Sequence, residues 1–200
     1  KIKYIDLFCG IGGFRVAMEE VCKENDLIPE CVFSSDIDNS CQISYEANFG
    51  EKPFGDITGI DEKDIPDHDI LFAGFPCQPF SIIGQRQGFN DIRGTLFFDI
   101  ARILEHKKPK AFVLENVKQL VGHDKGKTLK VIISTLKELG YHVQYAVLNA
   151  LDYGLPQKRE RVIIVGHKDP IFFSFPSPIR PFKPLSEILE KKVESKHFAS

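Results

Sequence analysis

Short apolar runs alternate along most of this chain with segments whose apolar residues recur every three or four positions, a pattern of strands interleaved with amphipathic helices. Residues 2–8, 31–35, 70–73 and 112–114 read as buried strands, and 143–148 and 161–166 as two late ones. A turn at residues 10–13 opens a helix that runs to about Lys23. Leu96, Ile100, Ile103 and Leu104 keep helical spacing, and Leu129, Ile132, Ile133, Leu136 and Leu139 keep it more clearly, with Gly140 as the stop. This alternation predicts an α/β fold: a doubly wound, mostly parallel, Rossmann-like sheet with helices on both faces. From Pro170 the pattern breaks, as Pro176, Pro178, Pro181 and Pro184 interrupt a Phe-rich stretch. Two regions follow: a domain over residues 1–169 and a Pro-rich exit segment over 170–200, with one last short helix expected at 185–193.

Composition changes this picture little. A length of 200 residues with 42% hydrophobic and 27% charged content suits one globular core. The longest apolar runs, 111–114 and 162–165, are far too short to span a bilayer, and the chain starts without a signal-peptide pattern, so a cytoplasmic protein is expected. Five cysteines are an odd number, and their spacing matches neither a disulfide framework nor a CxxC zinc site; free thiols and no metal are expected. Cys9, Cys22, Cys31 and Cys41 are assigned to packing. The formal net charge of −2 gives no general basic footprint. Basic residues gather only at Lys107, Lys108 and Lys110 and at Lys158, Arg159 and Arg161, and either run also fits a solvated face.

Three segments carry candidate chemistry. DLFCGIGGF at residues 6–14 sets glycines between a strand and a helix, where a ligand can approach backbone N–H groups. A tight connection would look similar, but Asp36 ends the next strand, where a carboxylate can accept from both hydroxyls of a ribose. The spacing fits a dinucleotide or S-adenosylmethionine, although the glycines depart from GxGxxG and no pyrophosphate site is visible. Asp56, just before the third strand, is either a turn aspartate or a partner for an adenine amine, with Ile57 packing on the ring. The second segment, GFPCQPFS at 74–81, holds Cys77 between two prolines at a strand end, a stiffer setting than that of any other cysteine here. Glu115 follows the next strand and emerges on the same sheet edge; a helix-capping or surface role is the alternative to a site acid. In the third segment, Arg159 and Arg161 point to one side of an alternating charged run that precedes another strand.

In order and approximate spacing, DLFCGIGGF, GDIT, GFPCQPFS, RGTLFFDIARIL, FVLENV and LNALDYGLPQKRERVIIVG resemble the bacterial cytosine-C5 DNA methyltransferases over nearly the whole chain. The resemblance implies double-stranded DNA as partner, S-adenosylmethionine as cofactor, and Cys77 as the nucleophile that adds to C6 of a cytosine flipped out of the duplex. It assigns Glu115 to N3 and the exocyclic amine, Arg161 to O2, and Arg159 to support of the same pocket. Phe75, Pro76, Gln78, Ser81 and Arg93 are then expected around the substrate. Phe8, Gly10, Gly12, Gly13, Phe14, Asp36, Ile37, Asp56, Ile57, Pro76 and Leu96 are expected around the cofactor, with Phe14 near the adenine. Asp36 stands where close relatives carry glutamate, and Ile37 where they often carry an aromatic residue. Residues 81–93 resemble a mobile loop that closes over the base, with Gly84, Gly88 and Gly94 as hinges.

Family members continue into a target-recognition region and a late Gly-Asn-Ser-Val motif that completes the cofactor pocket. Their absence from these residues predicts either a truncated product or one half of an enzyme completed by a second polypeptide, with weak activity alone. A tRNA cytosine-C5 methyltransferase is the nearest rival, but such relatives carry Pro-Pro-Cys and a following threonine, against Phe75-Pro76-Cys77 and Ser81 here. A non-catalytic subunit of the same fold is disfavoured by the joint presence of Cys77, Glu115, Arg159 and Arg161, and a dehydrogenase rests on the glycine turn alone.

Overall fold

In the first strand, β1 (Ile2–Leu7), side chains alternate between two cores. Tyr4 packs with Met18, Cys22 and Phe72 on one side, whereas Ile5 and Leu7 join a larger cluster on the other. The computed structural model from which this follows describes residues 1–76, 96–179 and 184–190. After β1 come α1 (Gly13–Glu24), β2 (Pro29–Ser35), α2 (Asn39–Phe49), β3 (Ile70–Gly74), α3 (Leu96–Lys107), β4 (Ala111–Val117), α4 (Lys127–Glu138), β5 (His142–Asn149) and β6 (Glu160–His167). The strands form one sheet in the order β2-β1-β3-β4-β6-β5. β2, β1, β3 and β4 are parallel neighbours, and β6 runs antiparallel to both β4 and β5. Met18 and Cys22 bring α1 onto the Tyr4 side, while Ile100, Ile103, Leu104, Ile132 and Leu136 bring α3 and α4 onto the other. The sheet therefore has helices on both faces, as the sequence pattern predicts.

Several boundaries differ for local reasons. β1 stops at Leu7 because Phe8 turns to φ 55°. β4 runs on to Val117, so Glu115 and Asn116 lie inside the strand and not after it; Arg161 likewise lies inside β6. Helix α2 escapes the periodicity because Cys41, Ile43, Tyr45, Ala47 and Phe49 recur at every second position. Its ends decide instead: the Asp38 side chain accepts from Cys41 N at 2.9 Å, and Gly50 at φ 75° stops it. Asp56 does not lead into the third strand. Ser35 makes a single parallel bridge to Phe54, a 3-10 turn covers Ile57–Gly59, and β3 begins only at Ile70. The late helix expected at 185–193 is, within the described residues, one 3-10 turn at Leu185–Glu187. No helix among the described residues is long and apolar enough to cross a membrane.

The sheet packs tightly where β4 meets β6. A Cβ placed on Gly166 would lie inside the ring of Phe112, which is fully buried and meets Tyr141 edge-on at 5.0 Å. Gly166→Ala is therefore expected to cost about 1–3 kcal/mol by overpacking. Urea unfolding checks this, and an unchanged midpoint would mean that the ring moves aside freely.

Candidate active site

Glu115 and Val117 on β4 share a face with Arg161 and Ile163 on β6, because the antiparallel register pairs Glu115 with Ile163 and Val117 with Arg161. The Glu115 and Arg161 side chains are thus diagonal neighbours and form an ion pair, with Arg161 Nε 2.7 Å from Glu115 Oε1 and both side chains 24% exposed. Arg161 Nη1 is held by the Glu160 carbonyl at 2.9 Å, and Nη2 makes no hydrogen bond among the described residues. Glu115 Oε2 sits over Gly74, its register partner on β3: a Cβ there would lie 3.7 Å from Oε2 and 3.8 Å from the Phe8 carbonyl oxygen. One small patch of the sheet edge therefore joins three of the segments picked out from sequence.

Phe75 and Pro76 leave the sheet at this point, Phe75 buried and Pro76 exposed. Leu96 is half-buried at the start of α3. Arg159 precedes β6 and is exposed; its backbone N–H donates to Asn149 Oδ1 at 3.0 Å. Cys77, Gln78, Ser81, Arg93 and the loop at 81–93 lie outside the described residues. Two side chains with no assigned role in the sequence reading help to build the edge. Asn149 ties the end of β5 to the residue before β6, and Asn116 donates to the Phe75 carbonyl. Only their places within FVLENV and LNALDYG could have flagged them.

The glycine turn is built for close approach. Gly10 and Gly12 adopt φ 55° and 93°, and a Cβ on Gly10 or Gly13 would meet nothing within 4 Å, so open space adjoins the backbone there. A Cβ on Gly12 would instead strike the Phe49 ring. Asp36 Oδ2 accepts from Gly10 N at 2.8 Å and Oδ1 from Asp38 N at 2.9 Å, which fixes a carboxylate with spare lone pairs beside the turn. Ile37 is 73% exposed next to it. Asp56 is exposed and caps its 3-10 turn through Thr58 N at 2.9 Å, while Ile57 is buried in the larger core with Phe8 packed against that cluster. The Phe14 ring stacks on Phe72 at 5.1 Å on the α1 side of the sheet, whereas Ile57 belongs to the other core cluster. Open space over glycines flanked by an oriented carboxylate fits a nucleoside cofactor. Among the described residues, no group of three or more His, Cys, Asp or Glu is placed to hold a metal. The first basic run lies at the opposite end of the sheet, where Lys107 pairs with Asp67 at 3.3 Å and Lys110 with Asp69 at 2.9 Å.

A family profile described as C-5 cytosine-specific DNA methylase matches residues 2–198. The chain is 60% identical over 200 residues to the type II methyltransferase M.NgoBI of Neisseria gonorrhoeae, covering 99% of this chain and 61% of that protein. It is 60% identical over 188 residues to the type II methyltransferase M.HaeII of Haemophilus aegyptius, covering 94% of this chain and 57% of that protein. It thus spans about three fifths of the length of these relatives. Among solved structures, a mutant of Spodoptera frugiperda DNMT2 superposes with a TM-score of 0.73 at 26% identity, over 98% of this chain and 62% of that one.

One buried charge beneath the site is unusual. Asp6 on β1 is 0% exposed, and neither carboxylate oxygen has a hydrogen-bond partner among the described residues. Burial pushes its pKa up to about 7, with Arg15 opposing the shift and Asp36 adding to it. The folded chain keeps this proton until about pH 7, whereas an unfolded aspartate loses it near pH 4. Between those values the native state binds more protons, so Asp6 lowers stability progressively as pH rises and leaves it low above the window. Asp6→Asn removes the charge, and its stability relative to the parent is expected to rise between pH 4.5 and pH 8 by at most ~4 kcal/mol. Denaturant melts at the two pH values test this; a gap that does not change with pH would refute it.

Proposed function

The chain belongs to the C-5 cytosine-specific DNA methylase family, and on that basis we propose that the protein methylates C5 of cytosine in double-stranded DNA, in a restriction-modification role in the cytoplasm. The observation that carries this reading is the Glu115–Arg161 pair over Gly74, at the edge from which the chain runs into Pro76 and Cys77. Residues 1–169 hold the cofactor and the chemistry, and 170–200 lead toward a target-recognition region in the same or a second polypeptide. The tRNA reading gains no observation in its favour.

Cytosine C5 is a poor nucleophile until a group adds at C6. The Cys77 thiolate forms the S–C6 bond, and the C5–C6 electron pair moves to make C5 nucleophilic. Glu115 delivers or holds the proton at N3, so that negative charge does not build up on the ring. Arg161, oriented by Glu115 and with Nη2 free of partners among the described residues, donates to O2, and Arg159 borders the same pocket. S-adenosylmethionine, when bound, supplies the methyl group that C5 takes up. Its ribose falls to Asp36, its adenine amine to Asp56 and its methionine end to the glycine turn. Loss of the C5 proton then restores the ring double bond and expels the thiolate. Since C5, C6 and N3 cannot all be reached within a stack, the base has to leave the duplex.

Replacing the C5 hydrogen by fluorine blocks the last step and leaves the enzyme bonded to the base. The full-length protein is expected to form a detergent-resistant complex with 5-fluorocytosine DNA when cofactor is present. Cys77→Ser should abolish the complex, and Glu115→Gln should slow its formation by about 10²–10⁴-fold. Absence of any complex with the unaltered protein would overturn the proposal.

A further inference from the structure

β3 and β4 pair as far as Gly74 and Glu115, and there the ladder ends. The next carbonyl on the β3 side, that of Phe75, still finds a buried donor. Asn116 Nδ2 reaches it at 2.8 Å, while Asn116 Oδ1 accepts from Val117 N at 2.8 Å. Asn116 is 1% exposed and Phe75 4% exposed, so the bond is shielded from water and both ends of the amide are used. The side chain acts as one extra rung of the sheet, placed after the backbone has turned away. The Phe75 ring is also anchored, 6.0 Å from Phe97 at a tilt of 46°.

This rung fixes the peptide plane that enters Pro76. Proline holds its own φ near −65°, so after the clamped carbonyl only ψ of residue 76 is left to turn. Asn116 also adjoins Glu115 on β4, the two side chains leaving opposite faces of the strand. A single strand thereby carries the acid on one face and, on the other, the group that grips the root of the nucleophile's loop. Resting on the methyltransferase reading above, in which Cys77 and Glu115 act on one pyrimidine, we infer that Asn116 is a positioning residue: by holding the Phe75 carbonyl it fixes the peptide from which the chain runs on toward the nucleophile. A ring two bonds wide tolerates little error, and a displacement of about 1 Å can cost on the order of 10²-fold in rate.

The test uses the full-length protein and unmethylated bacteriophage DNA, which contains every short site, with 5-fluorocytosine DNA for trapping. Asn116→Asp keeps the shape and the Oδ1 acceptor but sets an oxygen against the Phe75 carbonyl; Asn116→Ser keeps a shorter donor. Positioning predicts that Asn116→Asp loses about 10²-fold in kcat and in trapping rate, with KM and Kd for S-adenosylmethionine within about twofold of the parent. Asn116→Ser should recover part of the loss. Asn116→Asp trapping at the parent's rate, or losing cofactor affinity in step with trapping, would overturn the inference. Should Asn116→Asp melt below the assay temperature, Asn116→Ser is read by the same criteria, and an unaltered trapping rate there would overturn it equally. A parent protein that traps no DNA would instead sink the proposed function, so the two failures are distinguishable.

Discussion

The direction of one strand governs the site. Four parallel strands bring their C-terminal ends to a common edge, but a fifth parallel neighbour beside β4 would put its own start at the far end of the sheet. Because β6 enters antiparallel between β4 and β5, its first residues arrive at the edge where β4 ends. Arg161 then falls opposite Val117 and within 2.7 Å of Glu115, although 46 positions separate the two in sequence. A one-residue slip of that ladder would send Arg161 to the α3 and α4 side and leave Glu115 partly buried without its cation. The apolar residues of β6 resist such a slip. Val162 and Ile164 are fully buried, and their alternation with Arg161 fixes which face each side chain occupies.

At the same edge the chain repeatedly leaves regular structure, and side chains take over the bonds that ladders would otherwise make. Asp36 receives the Gly10 amide, Asn116 supplies a donor to Phe75, and Asn149 receives the Leu151 and Arg159 amides. Each such bond contributes only about 1 kcal/mol net, but leaving a buried backbone group unpaired costs more. These three clamps stand at the exits of β2, β4 and β5. They let non-repetitive backbone, which carries the exposed chemistry, stay as well placed as the strands beneath it.

How much of this was legible follows from what each signal measures. The glycine turn at 10–13 announced α1, and periodicity located six strands and two helices because their buried faces recur at strand or helix spacing. It missed α2, whose apolar residues alternate while Asp38 and Gly50 impose a helix from its ends. Motif resemblance brought Glu115 and Arg161 to one edge, and the structure pairs them directly. The same resemblance put Phe14 near an adenine; in the structure that ring stacks on Phe72. No sequence signal announced the register between β4 and β6, since register is a property of two strands that local pattern constrains only up to the choice of face. Asn116 and Asn149 stayed silent for a related reason: an amide's role depends on which distant carbonyl or N–H it meets.

The proposed reaction uses one thiol and requires the remaining cysteines to stay unreactive, and burial covers two of them. Cys9 and Cys22 are buried, and Cys31 is half-buried against the Tyr45 hydroxyl at 3.7 Å. Burial pushes the thiols of Cys9 and Cys31 up, and nearby Asp6 raises both further. Cys41 is half-exposed, which departs from the packing role expected of it, yet its thiol is also pushed up, by desolvation and by the carboxylates of Asp36 and Asp38. Asp36, the carboxylate proposed for the ribose, thus also pushes up the thiols of Cys9 and Cys41. Thiolate, not thiol, attacks an electrophile, so cysteines whose thiols are pushed up are poor targets for a reactive methyl group.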